Sequence, residues 1–572
     1  MQSVDYYVIV LYLIGIVAAG MVFAGRMKSS SEMFSAGGKS PWWVSGLSGF
    51  MTMFSAGTFV VWGGIAYRYG FVAVAINMCY GVAALLVGWF VAGRWRALGV
   101  SSAADFLQLR FGGPVVQFYT WFQGAVNIGA LGGSIYALSK IVTALIPIPA
   151  GHLLADAATG HLSVTLTSIA ICLLVITITF AGGLWAVLMT DVLQFVILTV
   201  SVVFVIPLIL GHIGGWDVFI ERAPAGFTAF TADDFTWWFL AGWVVIHFFK
   251  IGGEWAFVQR FTCVPTSRDA KKSAYLFGAM YLLSPLFWML PPLVYRVINP
   301  DADYEQAYIL ACQTVLPAGM LGLMIAAMAS ATASMATTQL NVFAGAFTTQ
   351  VYQRFINRKA VDAQVVFAGR VFTIILGGVV ITSALLIPRY GYTRFILDIT
   401  ALIIGPMVLP TIWGLFSRKI GLSAVWVTTG VGFLSAFVVK FGFAAGGFLT
   451  DVGFLNFLAD WIADNRRVAD LCAGIIVPFG VLVFMEILSQ KVHPGWVRVE
   501  ASASEFHEQP DLQSSTLPAV MVTITLVIIA VVMAGLAVFN SHDAGILGSF
   551  AVVLLAIASG LFWAIKRTER IN

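Results

Sequence analysis

Apolar segments long enough to cross a lipid bilayer follow one another along almost the whole of this chain. A membrane-spanning helix needs about 17–25 predominantly apolar residues, and the sequence contains about fifteen segments of that kind. The predicted spans cover residues 4–24, 43–65, 70–98, 114–147, 163–183, 185–212, 236–258, 273–297, 318–350, 364–387, 394–416, 422–443, 468–488, 516–539 and 545–565. The pattern predicts an all-α integral membrane protein.

Composition excludes a soluble fold. Of the 572 residues, 60% are hydrophobic and 10% are charged, with a mean hydropathy of +0.92. Soluble domains carry about 25% charged residues, and one soluble core could not absorb this much apolar surface. A transmembrane β-barrel is also excluded, because its strands of about 10 residues alternate apolar and polar side chains, whereas these runs are longer and continuous.

The remaining composition indicates little other chemistry. The net charge of +4 is small and the basic residues cluster in short loops, so we expect no nucleic-acid partner. The five cysteines form no CxxC pair, which favours neither a disulfide framework nor a zinc site. The N-terminus lacks the basic region of a cleaved signal, so its first apolar segment is predicted to stay as a membrane helix.

Basic residues in alternate loops predict the orientation. With the N-terminus outside, one side of the membrane receives Arg26, Lys28, Lys39, Arg94, Arg96, Arg110, Arg260, Arg268, Lys271, Lys272, Arg354, Arg358, Lys359, Arg418, Lys419, Lys566, Arg567 and Arg570. The positive-inside rule makes that side cytoplasmic. The exceptions on the other side are Arg389, Arg394, Arg466 and Arg467. We therefore expect a cell (inner) membrane protein with a cytoplasmic C-terminus.

Two polar runs interrupt the apolar segments. The run AGGLWAVLMTDVLQ, residues 181–194, places Asp191 at the head of a long apolar segment. The run SATASMATTQLN, residues 330–341, brings a row of hydroxyls into another. A carboxylate or a hydroxyl row within hydrocarbon is costly unless it is paired or faces an aqueous path. The two runs predict a functional site for ions that cross the membrane.

Two predicted spans contain breaks. The stretch LSGFMTMFSAGTFVVWGG (47–64) mixes glycine, serine and threonine, and HFFKIGGE (247–254) places a glycine pair between two charges. Non-helical backbone at membrane depth persists only where it is buried or lines a cavity. The breaks begin similar blocks of five spans, which predicts two inverted repeats around a midplane site. Close helix packing by small residues is the alternative. The predicted divisions are an N-terminal helix and loop at 1–42, repeats at 43–212 and 236–416, and peripheral helices at 417–572.

Several motifs resemble those of the sodium:solute symporter family, which includes sodium/glucose, sodium/proline and sodium/sialic acid cotransporters. They are GGLWAVLMTDVLQ, the first break ending in SAGTF, FVQR at 257–260, and TTQLNVFAGAFTTQVYQR at 337–354. The resemblance runs over roughly residues 1–490. It implies the inverted-repeat fold first seen in a leucine transporter, with Na⁺ as the coupling ion and no organic cofactor or enzymatic activity.

The resemblance implies a shared sodium site formed by carbonyls and hydroxyls. Its positions fall on Met51, Phe54, Ala331, Ser334 and Met335. Na⁺ prefers hard oxygen ligands, and the thioether of Met335 is a soft and weak one. Either the site is degraded at Met335, or the register is shifted so that Ser330 or Thr332 serves instead.

A second sodium site, present in some members of the family, would use Asp191, Ser334, Thr337 and Thr338. Ser334, Thr337 and neighbouring polar residues recur at helical spacing, so one helix face carries the oxygens. Hydroxyls that only join helices by hydrogen bonds are the alternative. Coupling by H⁺ at Asp191 also remains open at this stage.

The resemblance also suggests substrate contacts. Ser55 and Thr58 align with hydroxyls that hold the carboxylate in sialic acid transporters, and a broken helix turns free N–H groups toward an anion. Lys250 stands where sugar-transporting members carry an aromatic gate, and its ammonium suits an anionic solute. A helical ion pair with Glu254 is the alternative for Lys250. Tyr281 replaces a lysine that contacts sugar, which argues against a neutral hexose.

Aromatic residues and one histidine complete the candidates. His247 is predicted to line the cavity or to be a satisfied core histidine, not a metal ligand. Trp237, Trp238 and Trp243 are predicted to form an interfacial belt, or one of them to cover the substrate.

The predicted function is Na⁺-coupled symport of a small organic solute into the cell, with a carboxylate or acidic sugar favoured. The alternatives are H⁺-coupled or sugar-specific symport on the same fold, and a transporter-like solute sensor. The chain ends at Asn572 soon after its last helix, without a long signalling domain, which disfavours the sensor. The expected partners are the solute and the lipid bilayer. A monomer is compatible with the sequence, which does not decide the oligomeric state.

Overall fold

The computed structural model of this protein describes residues 1–24, 36–149, 151–156, 160–181, 184–387, 391–444, 446–450, 452–508 and 516–571. Across these ranges the chain is helical, and extended pairing is limited to isolated bridges. The prediction of an all-α protein is therefore confirmed.

Eleven helices in the described ranges are long and apolar enough to cross a membrane. They are Val72–Phe90, Gly113–Ala144, Val187–Ile213, Ser267–Ile298, Met320–Ile356, Ala363–Leu386, Tyr392–Gly414, Leu422–Gly442, Arg466–Leu488, Ala519–Phe539 and Ala544–Lys566. Three of the other four predicted spans coincide with shorter apolar helices, at Ser3–Gly15, Val164–Ile176 and Trp237–Gly253. The fourth of these predicted spans, 43–65, coincides with the interrupted helix at 42–69. A count of about fifteen spans therefore stays a prediction.

Both predicted breaks are present. The first broken helix consists of Trp42–Thr52, a non-helical stretch around Phe54, and the helical segments Thr58–Trp62 and Gly63–Tyr69. The first of these segments, Thr58–Trp62, is a π-helical turn, a form that is often found at functional sites.

The second broken helix ends its first half, Trp237–Gly253, at Glu254. Glu254 is extended, with φ −69° and ψ 137°, and the second half runs over Trp255–Thr262. The glycine pair Gly252 and Gly253 precedes this break. Each has little space for a side chain, since a Cβ on Gly253 would lie 2.5 Å from Val408 Cγ1.

Burial separates the centre of the molecule from its periphery. In the most apolar part of Met320–Ile356, 83% of the residues are buried. In the corresponding parts of Ala519–Phe539 and Ala544–Lys566, 28% of the residues are buried. The last two helices pack on each other and expose the rest of their apolar surface, as lipid-facing helices do. The helix Met320–Phe347, here called the hydroxyl helix, therefore lies in the interior.

Three elements meet around the hydroxyl helix. It contacts the helix Leu184–Ile213, here called the Asp191 helix, and both contact the first half of the first broken helix. The second broken helix packs against Val72–Phe90 and Gly405–Gly414 and also contacts the hydroxyl helix through its second half. The two breaks and the hydroxyl helix thereby surround a common interior region.

The prediction of an outside N-terminus, and the division into repeats at 43–212 and 236–416, stay predictions. Among the basic residues used for orientation, Arg26, Lys28 and Arg389 lie outside the described residues.

Candidate transport site

Asp191 is the centre of a buried hydrogen-bond network. Its side chain is 3% exposed, and each carboxylate oxygen accepts a short hydrogen bond. Ser334 Oγ donates to Oδ1 at 2.5 Å, and Ser48 Oγ donates to Oδ2 at 2.5 Å. These bonds join the Asp191 helix to the hydroxyl helix and to the first broken helix. The predicted partners Asp191 and Ser334 are therefore in direct contact.

Arg260 is the charged partner of Asp191, which corrects its prediction as a cytoplasmic loop residue. Its side chain is 1% exposed, and Nη2 lies 3.8 Å from Asp191 Oδ2. The guanidinium also donates to Ser48 Oγ at 2.9 Å and to Thr338 Oγ1 at 3.1 Å. Since a buried carboxylate is costly without a partner, Arg260 stabilises the ionised form of Asp191. The family motif FVQR contained this residue, but its position beside a basic loop concealed its role.

Thr337 and Thr338 occupy the same part of the hydroxyl helix. Both are buried, with 4% and 3% of their surface exposed. Thr338 accepts from Arg260, which brings it into the Asp191 network. The arrangement brings together a carboxylate and the hydroxyls of Ser334 and Thr338, which are hard oxygen groups of the type that Na⁺ requires.

The two hydroxyls considered for a shifted register have other partners. Ser330 Oγ accepts from Gln194 Nε2 at 2.5 Å. Thr332 Oγ1 accepts from the backbone N–H of Ala56 at 2.9 Å and donates to the carbonyl of Met328. Thr332 therefore caps the helix that restarts after the first break.

The positions implied for the shared sodium site lie around the first break. Met51, Phe54 and Ala331 are buried, and the carbonyl of Met51 accepts the N–H of Phe54 at 2.9 Å. Ser334 directs its hydroxyl to Asp191 instead. Met335 lines the central cavity described next, so the sequence departure at this position coincides with a different environment.

A central cavity of about 140 Å³ lies between the two breaks. Its lining combines residues of the first broken helix, the second broken helix and the hydroxyl helix. The polar and aromatic members of the lining are Thr52, Ser55, Thr58, Trp62, Tyr80, Asn127, Ser134, His247, Lys250, Glu254, Phe257, Gln339, Tyr392 and Thr400. Four of the five predicted substrate residues, namely Ser55, Thr58, His247 and Lys250, are among them.

Lys250 and Glu254 line the cavity without forming the predicted helical ion pair. In the described structure no ion pair within 4.0 Å joins Lys250 Nζ to a carboxylate. The helix ends at Gly253, but the N–H of Glu254 still donates to the carbonyl of Lys250 at 2.9 Å, so the separation lies in the two side chains. Glu254 Oε1 accepts from Gln339 Nε2 at 3.3 Å. Glu254 Oε2 and Gln339 Oε1 have no hydrogen-bond partner in the described residues.

Ser55 and Thr58 cap the start of the helix that resumes after the first break. This corrects the expectation of free N–H groups there. Ser55 Oγ accepts from Gly57 N at 3.1 Å, and Thr58 Oγ1 accepts from Ser55 N at 3.2 Å. The N–H of Ala56 is held by Thr332. Ser55, whose Oγ accepts from Gly57 N, also lines the central cavity.

His247 and Trp243 belong to an aromatic group beside the cavity. The His247 ring lies 4.2 Å from that of Tyr80 and 4.6 Å from that of Trp243, and its Nδ1 bonds the Trp243 carbonyl at 2.8 Å. Trp243 is 1% exposed, so its prediction as a belt residue is wrong. Trp237 and Trp238 are 67% and 78% exposed, which fits an interfacial position.

Tyr281 lies in the aromatic packing and outside the cavity lining. Its ring lies 4.4 Å from Phe50 and 5.3 Å from Tyr80, and the side chain is 3% exposed. The geometry therefore gives no support to a substrate contact by Tyr281.

The sequence reading missed Tyr392, which forms one wall of the cavity. Its hydroxyl lies 3.2 Å from Ser134 Oγ and rests against the first break. A Cβ at Gly57 would lie 2.4 Å from this hydroxyl, so only glycine permits the approach. Tyr392 lies in the short loop predicted between the spans 364–387 and 394–416, where no sequence pattern distinguished it.

The described residues contain no group of three or more His, Cys, Asp or Glu side chains that could hold a metal ion.

Comparison with known proteins identifies the family. The model of the sodium:solute symporter family matches residues 33–427. The sodium/sialic acid symporter NanT of Aliivibrio fischeri is 28% identical over 443 residues, which cover 73% of this chain and 84% of that protein. Sodium/glucose cotransporter 1 of Mus musculus is 23% identical over 498 residues, covering 78% of this chain and 73% of the relative.

Solved structures share the fold. A Na⁺-coupled sialic acid symporter in a substrate-bound outward-open state matches with a TM-score of 0.68 and 22% identity over 83% of this chain and 97% of that chain. Mhp1, a nucleobase-cation-symport-1 family transporter, matches with a TM-score of 0.52 and 12% identity over 83% of this chain and 99% of that chain. The family model spans most of the sequence, and the chain therefore belongs to the sodium:solute symporter family.

Proposed function

We propose that this symporter uses Na⁺ entry to import a small organic solute that carries a carboxylate, with an acidic sugar as the favoured class. The observation that carries the proposal is Lys250, whose ammonium lines the central cavity with no carboxylate of the described residues within 4.0 Å. A cation inside a membrane protein is costly unless it is paired or solvated. A carboxylate on the solute would supply a direct ion-pair partner beside Glu254, which lines the same cavity.

The other polar groups of the cavity favour a solute that also donates hydrogen bonds. Glu254 Oε2 and Gln339 Oε1 are buried acceptors with no hydrogen-bond partner in the described part of the chain, and such groups cost about 1–3 kcal/mol each when left unsatisfied. Sugar hydroxyls or an acetamido N–H would satisfy them, whereas a fatty acid would not. Ser55 Oγ offers a donor to the solute on the opposite wall. Two of the similar proteins are named as sialic acid symporters, and sialic acid combines a carboxylate with many hydroxyls.

For the coupling ion, we propose a site formed by Asp191, Ser334 and Thr338, with Thr337 beside it. The carboxylate and hydroxyl oxygens provide a hard ligand set. Arg260 neutralises the Asp191 carboxylate in the network and repels an arriving cation, so Na⁺ would bind reversibly, as a transported ion must. The positions implied for the shared site, Met51, Phe54 and Ala331, would contribute carbonyls to a second, weaker site.

The membrane arrangement is proposed from the sequence. We propose an N-terminus outside, a cytoplasmic C-terminus, inverted repeats at 43–212 and 236–416, and import from the N-terminal side. The basic loops support this orientation.

Uptake into proteoliposomes tests the proposal. Purified protein is reconstituted, and the uptake of radiolabelled N-acetylneuraminate is measured with an inward Na⁺ gradient, with K⁺ in place of Na⁺, and with a pH gradient alone. We expect uptake only with Na⁺, and competition by carboxylate-bearing sugars but not by glucose or by the methyl ester of N-acetylneuraminate. Strong competition by neutral sugars without competition by any carboxylate would overturn the proposed solute, and uptake driven by the pH gradient alone would overturn the proposed ion.

A further inference from the structure

A second cavity of about 290 Å³ lies near the central one and carries many charges. Here it is called the vestibule. Its charged lining consists of Arg68, Asp234, Arg394, Asp398, Lys440, Arg466, Arg467 and Asp470. Five basic groups thus face three acidic ones, which leaves an excess of positive charge around a space as large as a sugar acid.

The vestibule and the central cavity share two walls, the first broken helix and the helix Tyr392–Gly414. On the first broken helix, Val61 lines the central cavity and Arg68 lines the vestibule. A rise of 1.5 Å per residue separates them by about 10 Å along the helix. On the helix Tyr392–Gly414, Tyr392 and Ile396 face the central cavity, whereas Arg394 faces the vestibule. All the lining elements lie on the side that the sequence predicts to be extracellular.

Ion pairs account for part of this charge. Lys440 Nζ lies 2.6 Å from Asp398 Oδ2, and Arg394 Nε lies 3.8 Å from the same oxygen. Arg467 Nε lies 3.6 Å from Asp234 Oδ2. Asp470 is 6% exposed, and its Oδ1 has no hydrogen-bond partner in the described residues. The acidic side chains therefore hold Lys440 and Arg467 in place without neutralising the whole cluster.

Arg68 and Arg466 carry the excess. Arg68 is exposed and stacks on aromatic rings, with its guanidinium carbon 5.1 Å from the Tyr304 ring centre. Arg466 donates to the Lys440 carbonyl at 3.0 Å and to the Phe443 carbonyl at 3.4 Å. In the described part of the chain, neither arginine has a carboxylate within 4.0 Å. Guanidinium groups with free donors bind carboxylates in a bidentate manner, and the neighbouring aromatic rings suit the apolar face of a sugar.

The orientation rule gives an independent reason to assign a function to this cluster. Arg394, Arg466 and Arg467 lie on the side of the membrane that normally carries few basic residues, and all three line the vestibule. Their predicted position is on the opposite side of the membrane from the basic residues of the other loops. Three of the four basic residues that depart from the orientation rule thus line one cavity, and the fourth, Arg389, lies outside the described residues.

We propose that the vestibule is a low-affinity binding site for organic carboxylates, which captures the anionic solute through Arg68 and Arg466 before it enters the central cavity. This inference rests on the proposed function, because it requires an anionic solute. A positively charged funnel raises the local concentration of an anion and its rate of association, and salt screens this effect.

The test compares initial rates of Na⁺-driven N-acetylneuraminate uptake in proteoliposomes for the wild type, Arg68→Gln, Arg466→Gln and the double variant. Arg222→Gln removes an exposed charge on the same side outside the vestibule and serves as the matched control. We expect KM to rise about 3- to 10-fold in the double variant with kcat unchanged, and its salt dependence to flatten. Arg68→Lys and Arg466→Lys keep the charge and should restore most of the affinity, which a purely structural role for the guanidinium groups would not.

The outcomes separate this inference from the proposed function. If the wild type transports N-acetylneuraminate but the double variant matches the Arg222→Gln control in KM and in salt dependence, the vestibule inference is wrong. If kcat falls and KM does not change, the arginines serve the transport cycle and not capture, which also overturns it. If the wild type transports no carboxylate while it transports neutral solutes, the proposed function itself is wrong.

Discussion

The network around Asp191 and the central cavity meet at the hydroxyl helix, yet their polar groups are satisfied in opposite ways. Ser334 turns toward Asp191, and the next residue, Met335, lines the cavity. Both carboxylate oxygens of Asp191 accept hydrogen bonds, and Arg260 balances its charge. In the cavity, Glu254 Oε2 and Gln339 Oε1 have no hydrogen-bond partner among the described residues.

Under the proposed function, this difference has a consequence for each ligand. Both carboxylate oxygens of Asp191 are bonded within the protein, so an ion bound there would have to replace internal contacts. In the cavity, a solute would supply hydrogen bonds that Glu254 and Gln339 do not make among the described residues. We therefore expect substitutions in the network to affect both folding and ion coupling, and substitutions in the cavity to affect solute affinity alone.

The largest expected effect is that of Asp191→Asn. The variant leaves the Arg260 guanidinium buried without a counter-charge, which costs about 3–5 kcal/mol in the free energy of unfolding. We expect Na⁺-driven uptake to be lost, measured in proteoliposomes alongside thermal unfolding in detergent.

The double variant Asp191→Asn with Arg260→Gln separates stability from ion coupling. It removes both charges, so the unfolding temperature should recover toward that of the wild type while Na⁺-driven uptake stays absent. Unchanged Na⁺ dependence in Asp191→Asn would rule out the proposed ion site.

A second change, Gly57→Ala, tests the central cavity in the comparison with the Asp191 network. A Cβ at this position would lie 2.4 Å from the Tyr392 hydroxyl, so the cavity wall has to move. We expect the affinity for N-acetylneuraminate to fall about 10-fold, equivalent to about 1.4 kcal/mol, with the Na⁺ concentration for half-maximal rate unchanged. Gly49→Ala is the matched control, since its Cβ would lie at an ordinary 3.5 Å from Phe277. Equal effects of the two substitutions would show that Tyr392 does not shape the solute site.

Met335→Ser tests the boundary between the two regions. If the shared sodium site is degraded at this position, a hydroxyl adds a hard ligand and should raise the apparent Na⁺ affinity about 3- to 10-fold, as one added polar contact does. A shifted register predicts instead that Met335→Ser has no effect and that Ser330→Ala impairs transport. The readout is the Na⁺ dependence of uptake, and no change in either variant would exclude both explanations.

The smallest effect is expected for Tyr281→Phe. Tyr281 packs against Phe50 outside the cavity lining, so loss of its hydroxyl should change the KM for the solute by less than about twofold. A KM increase comparable to that of Gly57→Ala would restore Tyr281 as a solute contact.

Sequence patterns predicted the class of fold and both helix breaks, because long apolar runs and intramembrane polar groups have few structural solutions. The pairing of Asp191 with Ser334 was predicted from the family resemblance. The patterns did not predict the contact of Arg260 with Asp191, because the sequence around an arginine next to a basic loop is the same whether its side chain lies in the loop or is buried in the protein. Trp243 was misassigned for a similar reason, since tryptophans at a helix start occur both at interfaces and in cores.

The cavity was predicted less completely than the network. Lys250 and Ser55 stood out as polar groups near the breaks, but Gln339 and Tyr392 come from segments that are distant in sequence and meet only in the folded protein. The capping of the first break by Thr332 likewise depends on a contact across 276 positions in the chain, which no local pattern indicates.

The most direct test of the account is the binding of N-acetylneuraminate to Lys250→Met at saturating Na⁺, measured by titration calorimetry on purified protein. Lys272→Met removes a lysine from an exposed pair with Asp269 and is the control. We expect Lys250→Met to weaken binding about 10- to 100-fold, as the loss of a charge-assisted hydrogen bond does, and to leave Na⁺ binding and the affinity for the uncharged methyl ester unchanged. Equal affinity for the carboxylate in Lys250→Met and Lys272→Met would contradict the assignment of Lys250 as the partner of an anionic solute.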